Sequence, residues 1–388
     1  MKPQAKFILI LITIVFMQFS CKERFDAPVN ASNQSVLVVE GVLNAGGSTN
    51  ILLSRTTDLG VANKPKPELK ALVTVESDAN ASYVLNETAN GVYTTAQLPI
   101  NALAKYRLKI KTANGKEYLS EYVEVNTSPP IDNVGWERAN GGVQINVSAS
   151  DPTNNTRYYR WETEETWQFY NDVRASIKIV PTTVAGAKRF TVEDIDPANY
   201  PYYNICWKSE KSSNIWLAST TALAKDVVSK SLLNYISSTE EKIAVRYSVL
   251  VKQYALSKKA YTYWSNLRKN VEDLGTLYSP QPSETVGNIT CTTDTKEAVI
   301  GFFEVCNPTE KRIFISNSEV PNWNYVYSCK TIKVPSLTNN DLGDIFNRFI
   351  AVAWVNPNKN PADSIFAAIP VCVDCAVKGT PVKPAFWQ

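Results

Sequence analysis

The stretch Tyr106-Arg-Leu-Lys-Ile-Lys111, its turn Asn114-Gly115 and the returning arm Lys116 to Val125 decide the fold class. Tyr106, Leu108 and Ile110 fall on one face and Arg107, Lys109 and Lys111 on the other, the period-two alternation of a half-buried antiparallel strand. Asn-Gly between two such arms supplies the backbone angles that a tight hairpin needs. Moving outward, Asn90-Gly91 marks a second hairpin, and Ser35 to Leu43 is rich in branched residues before its turn at Asn44-Ala-Gly-Gly47. Ile51 to Ser54 and Ala71 to Glu76 continue in the same style, and Pro65 and Pro67 exclude a helix between them. Residues 35–127 are expected to form a small β-sandwich.

Pro129-Pro130 marks the next boundary, because neither residue can donate to a ladder. Val134 to Arg138, the turn Asn140-Gly141-Gly142 and Val143 to Ser148 then open a second sandwich-like region, expected over residues 131–221. Its longest run, Tyr158 to Phe169, alternates Tyr159 and Trp161 against Tyr158, Arg160 and Glu162. A row of Tyr159, Trp161 and Trp167 is a candidate platform for stacking on a ligand ring, as is the Trp207 and Trp216 segment. Aromatics at period two more often form the core side of a strand.

Residues 222–388 carry the helical signals. Ser257 offers an N-cap, and Ala260, Trp264, Leu267, Val271 and Leu274 recur at helical spacing before Gly275 stops the run. A second helix is expected over Ala222 to Ile236. Ala298 to Val305 and Arg312 to Ser316 read as paired strands around Asn307-Pro308, and the closing Phe386-Trp387 pair should plug into a surface of the same region. The whole reads as mainly β: two N-terminal Ig/fibronectin-like β-sandwich regions followed by an α+β C-terminal region with one or two helices packed on a sheet. A chain of 388 residues agrees with two or three domains.

The first residues place this body in a compartment. Lys2 and Lys6 precede an apolar run from Phe7 to Phe16, and Ser20 stands just before Cys21, which is the pattern of a secretory signal over 1–20. The run is too short to span a bilayer, so a lipid on Cys21 and a tether over 21–34 are expected, although Gln18 departs from the usual aliphatic residue of such sites. Lys22, Glu23 and Arg24 follow, only one of them acidic. Net charge is +3 and contains no basic block after the signal, so nucleic acid is not an expected partner.

The chain has no histidine. Nucleophilic sites that rely on imidazole cannot be built, and common zinc or iron sites are hard to build, so no cofactor or metal is expected and the chain is read as a non-enzyme. The carboxylate cluster Glu162, Glu164 and Glu165 is the densest alternative. Glu162 and Glu164 would stand about 7 Å apart on one strand face, compatible with acid/base work, but a solvated charged face is the preferred reading. Of seven cysteines, Cys21 is assigned to lipid and Cys206, Cys291, Cys306, Cys329, Cys372 and Cys375 remain as candidate disulfide partners of open connectivity. Cys372 and Cys375 form one CxxC with no second pair and no redox context, so a structural role is expected.

Several blocks resemble a known family. Tyr247 to Gly275, Gln281 to Ile289, Ala298 to Cys306, Lys311 to Ile315 and the closing Cys372-Val-Asp-Cys375 with Lys383-Pro-Ala-Phe-Trp387 are similar, in order and content, to the family catalogued as domain of unknown function 4249. The resemblance implies an outer-membrane lipoprotein of Bacteroidota, commonly encoded near TonB-dependent receptors, with no assigned catalytic residues. The expected role is an accessory subunit beside such a receptor or another outer-membrane barrel, capturing or retaining cargo and anchored to the membrane through its lipid. The alternative is an independent glycan- or peptide-binding surface lipoprotein, and a spacer role for the sandwiches is also open.

Overall fold

The computed structural model describes residues 35–57, 65–272, 286–356 and 364–388. The expected signal peptide, Cys21 and its tether, and the helix-ending Leu274 and Gly275 lie outside them. In the first sandwich the strand Tyr106–Lys111 pairs with Glu117–Ser120 on one side and with Leu72–Ser77 on the other. Tyr106, Leu108 and Ile110 are buried as their alternation requires, and they meet Leu37, Ile51, Leu53, Val73 and Tyr93 in one core.

The sandwich is not completed within residues 35–127. Ile289–Cys291 pairs antiparallel with Glu117–Ser120, and Val299–Gly301 runs parallel to Leu37–Glu40. Val305–Asn307 lies parallel to both Val125–Thr127 and Leu43–Asn44. The late segment therefore covers edges that would otherwise expose unpaired backbone, and Phe303 and Val305 enter the core. An ion cluster fastens it: Arg55 donates to Glu68 at 2.6 Å and to Glu297 at 3.1 Å, Tyr118 donates to Glu297 at 2.5 Å, and Lys116 pairs with the same carboxylate. Gly287 allows the crossing, since a Cβ there would stand 1.8 Å from the Gly301 carbonyl oxygen.

The second sandwich sets Ile131–Ala139, Gly142–Asp151 and Asp226–Ser237 against a sheet centred on Tyr158–Tyr170. Asn140 and Gly141 adopt φ of +52° and +75°, the pair of positive values that a tight hairpin of this hand demands. The expected helix over Ala222 to Ile236 is a strand, Asp226–Ser237, paired along the length of Gly142–Asp151. Its Val228, Leu233 and Ile236 are needed in the core, and tertiary pairing outweighs a weak local helix preference. Strand Arg246–Ala255 and strand Thr309–Ser316 extend the other sheet. Ala298 to Val305 and Arg312 to Ser316 therefore do not pair with each other. The chain passes from one sandwich to the next at Asn307-Pro308, where Pro308 lacks the N–H a continuous ladder would use. The diproline junction is held too, with the Pro129 carbonyl accepting from Gln253 at 2.8 Å and Thr309 at 2.9 Å.

Helix Lys258–Glu272 begins as expected, with the Ser257 hydroxyl accepting from the Ala260 N–H at 3.2 Å. Ala260 and Tyr263 pack with Leu256 and Phe302, while Val271 is exposed, so the buried stripe covers only the first turns. Trp387 closes over the second sandwich, edge-on to Trp207 and Phe314.

A third body joins residues from both sides of the expected boundary at 221/222. The hairpin Ile177–Val184 with Ala187–Asp194 meets a sheet of Ile332–Val334, Ile365–Ala368 and Ile350–Trp354, and helix Asn339–Arg348 lies over them. Ile177, Val334, Leu342, Ile345, Ala351 and Ile365 form its small core. Two disulfides join described residues: Cys329–Cys372 lies beside this body, and Cys206–Cys375 lies in the core of the second sandwich. Cys291 and Cys306, expected as disulfide partners, are free and buried, each in the packing of a sandwich that closes without them. Among the described residues no helix is long and apolar enough to cross a membrane.

Candidate functional site

The residues proposed for stacking are core residues. Tyr159 and Trp161 are 0 % exposed and Trp167 is 4 % exposed. They occupy the face of Tyr158–Tyr170 that looks onto the opposite sheet, where Trp161 donates to Gln253 at 2.9 Å and Tyr159 to Asp226 at 2.7 Å. Of the carboxylates, Glu165 points to the same interior and accepts from Tyr247, Asn234 and Lys242 at 2.6, 2.8 and 2.7 Å. Glu162 points outward, bonded to Arg160 and Tyr254. Strand alternation thus separates Glu165 from Glu162 and Glu164 rather than gathering the three.

An open concavity lies where the strand Tyr158–Tyr170 ends. It is a cleft of about 350 Å³ whose lining includes Tyr170, Asn171, Asp172, Tyr325, Tyr327, Lys330 and Lys378. The Cys329–Cys372 disulfide belongs to its wall, and Cys206–Cys375 ties the neighbouring turn to strand Ile205–Lys211. The rim is aromatic and open: Tyr170 is 37 % and Tyr327 40 % exposed. Tyr325 stands edge-on to Tyr327 at 4.9 Å and donates to Glu241, which also accepts from Lys378 at 2.5 Å. Lys378 lies over the Phe169 ring at 4.4 Å, so one cation of the cleft is already matched by protein groups.

Electrostatics keep the tyrosines neutral. Burial and the Glu241 carboxylate push the Tyr325 phenol up to about 12, and burial with Asp172 raises Tyr327. Burial also raises the Asp172 carboxyl above its usual range, against the pull of the Cys329 amide and Lys378. The site therefore offers phenol donors, ring faces, one ammonium and two acceptors, a set suited to holding a polar ligand by several modest contacts. Sequence reasoning missed it because residues 324–331 carry no periodic pattern. The available signal was Tyr325-Val-Tyr327 beside Cys329, aromatic residues next to a cysteine that a cross-link would fix.

A β-sandwich body with a disulfide-walled, tyrosine-rimmed cleft is the class that fold and site define. A family model described as Domain of unknown function (DUF4249) matches residues 22–312, and the chain belongs to that family. The match stops before most of the third body. No curated protein matches the chain. Among solved structures, a chitinase, ChiA74 from Bacillus thuringiensis, is similar at 10 % identity with a TM-score of 0.15 over 54 % of this chain. The likeness spans 30 % of that enzyme and carries no argument about fold or activity.

Proposed function

We propose that this chain is a non-catalytic lipoprotein of the outer membrane, anchored by a lipid on Cys21 and exposed at the cell surface. In this reading it serves a TonB-dependent transporter or another outer-membrane barrel as an accessory subunit that captures cargo. The observation that carries the proposal is the cleft: its rim tyrosines remain open to solvent, whereas the Glu162 and Glu165 carboxylates of the densest acidic cluster are engaged with protein groups. A lipid anchor adds effective concentration near a barrel, so contacts of modest strength suffice.

The experiment is fatty-acid labelling of cells expressing the wild type and Cys21→Ser, followed by mild detergent extraction and isolation of partners. Labelled wild type in the outer-membrane fraction with a barrel protein attached is the expected result, and Cys21→Ser should lose label and membrane association together. An unlabelled, freely soluble wild type without a partner overturns the reading. The independent glycan- or peptide-binding alternative is favoured by the same cleft and predicts labelling without a barrel partner.

A further inference from the structure

We propose that the end of the first sandwich built around Arg55 lies on an anionic lipid surface, with Leu69 and Leu72 in the interface and Lys66, Lys70 and Lys296 on the headgroup phosphates; this rests on the lipid anchor at Cys21. Arg55 gathers that end. Its guanidinium donates to the Ser35 carbonyl at 3.1 Å, to Glu68 at 2.6 Å, to Glu297 at 3.1 Å and to the Tyr118 hydroxyl at 3.3 Å. The entry of the chain, the loop after Lys66 and the loop before Val299 therefore meet at one place. Ser35 is the first described residue, and 21–34 cannot hold it more than about 50 Å from a lipid on Cys21. The second sandwich leaves from the opposite end, where Val305–Asn307 pairs with Val125–Thr127 and Leu43–Asn44. Tyr158 packs with Phe302 beside that junction, and the cleft lies at the other end of the same strand, at Tyr170.

The surface at that end has the chemistry of a lipid interface. In Lys66-Pro-Glu-Leu-Lys-Ala-Leu72, Leu69 is 42 % and Leu72 53 % exposed, and Lys70 turns the chain between them at a φ of +57°. Lys66, Lys70, Lys111 and Lys296 stand exposed around them. Most acids here are already matched: Glu68 and Glu297 serve Arg55, Glu297 and Asp294 serve Lys116, and Glu117 pairs with Lys111. Lys66, Lys70 and Lys296 form no ion pair among the described residues. Against them stands Glu87, whose carboxylate accepts from the Lys70 and Gly91 backbone amides. Three free lysines around two open leucines match a bilayer boundary, where the ammonium groups reach phosphates while the apolar side chains enter the acyl region. A protein interface excludes lysine from its centre instead.

The test is a lysine footprint. The mature full-length chain on vesicles of phosphatidylethanolamine and phosphatidylglycerol is treated with a membrane-impermeant acylating reagent. The rate at each lysine, read by mass spectrometry, is compared with that of Cys21→Ser free in buffer. Lys66, Lys70 and Lys296 should slow about tenfold, a preference for this orientation of about 1.4 kcal/mol. Lys330 and Lys333, exposed beside and beyond the cleft, should keep their rates. Leu69→Ser combined with Leu72→Ser should restore the three rates while the lipid keeps the chain on the vesicles, and neutral phosphatidylcholine vesicles should protect less. Thermal melts of that variant should match the wild type, because both side chains are exposed. Unchanged rates at the three lysines of a lipidated, vesicle-bound chain overturn the proposal and leave the anchor standing. Equal slowing at Lys330 and Lys333 overturns it too, since no face is then preferred. A wild type without lipid removes the anchor reading, and the lipid-facing end then stands only if the same three lysines slow when the chain is mixed with the vesicles.

Discussion

The first sandwich and the cleft-bearing third body solve the same problem with different means. The first sandwich buries a continuous core of Leu37, Ile51, Leu53, Val73, Tyr93, Tyr106 and Ile110 and sews its returning segment down with the Arg55, Glu68 and Glu297 cluster. It contains no disulfide, and its Cys291 stays a buried thiol. The third body has a small core around Ile177, Leu342 and Ile365 and leaves Phe346, Ile369 and Val184 in solvent. One cross-link, Cys329–Cys372, lies beside it, and the other, Cys206–Cys375, fastens the neighbouring turn into the core of the second sandwich. A body with so small a core gains from a covalent link what packing supplies in the first sandwich.

The largest predicted effect breaks that contrast. Cys206 and Cys375 are 169 residues apart, so removing their bond with Cys206→Ala and Cys375→Ala should lose about 5 kcal/mol by loop-closure entropy. Denaturant unfolding should then show an earlier loss of the second sandwich, whose core holds both cysteines, and of the turn at Cys375. Next, Arg55→Met leaves Glu68 and Glu297 short of their shared partner and should destabilise the first sandwich by about 3 kcal/mol, read as a lower midpoint of the main transition. It should leave the third body's transition in place.

A third prediction concerns the junction between the two sandwiches. Glu304 is 3 % exposed, and burial raises its carboxyl to about 7 against the pull of Arg160. The folded state therefore holds the proton to higher pH than the unfolded chain does. Stability should fall as pH rises from about 4.5 to about 7 and then level off, by up to roughly 3 kcal/mol. Glu304→Gln should abolish that slope and raise the melting temperature at pH 8, and an unchanged slope would sharpen the search for another titrating group. The smallest effect is expected at the hairpin tip, where Val184 is 60 % exposed: Val184→Ser should change stability by less than about 0.5 kcal/mol.

The same contrast explains what the sequence could and could not tell. The hairpins at Asn114-Gly115 and Asn140-Gly141 and the faces of Tyr106–Lys111 were legible because alternation and turn chemistry are local. Asp226–Ser237 was not: its pairing shifts register between Ile145 and Asn146 and between Val147 and Ala149, and Lys230 takes a positive φ, so no clean period survives. Ile289–Cys291, Val299–Gly301 and Val305–Asn307 are three residues each, too short to carry a pattern, and only their distant partners make them strands. Tyr159, Trp161 and Trp167 were legible as the core side of a strand from their period of two, and their burial excludes the alternative of an open stacking row. The helix Asn339–Arg348 was not read from the sequence, although Thr338 caps its start by accepting from the Asp341 N–H. The cleft left almost no local mark, since its residues come from a strand end, a loop and a turn that meet through the disulfides and through long-range bonds such as Tyr325 and Lys378 to Glu241.

The measurement that addresses this account most directly is amide hydrogen exchange on the wild-type chain, oxidised and after gentle reduction. Reduction should accelerate exchange in 171–204 and 320–388, the segments that build the cleft and its supporting body, and leave Leu37–Glu40, Tyr106–Lys111 and Ile289–Cys291 unchanged. Equal acceleration in the first sandwich, or none around the cleft, would contradict the claim that covalent links hold the cleft region where packing alone does not.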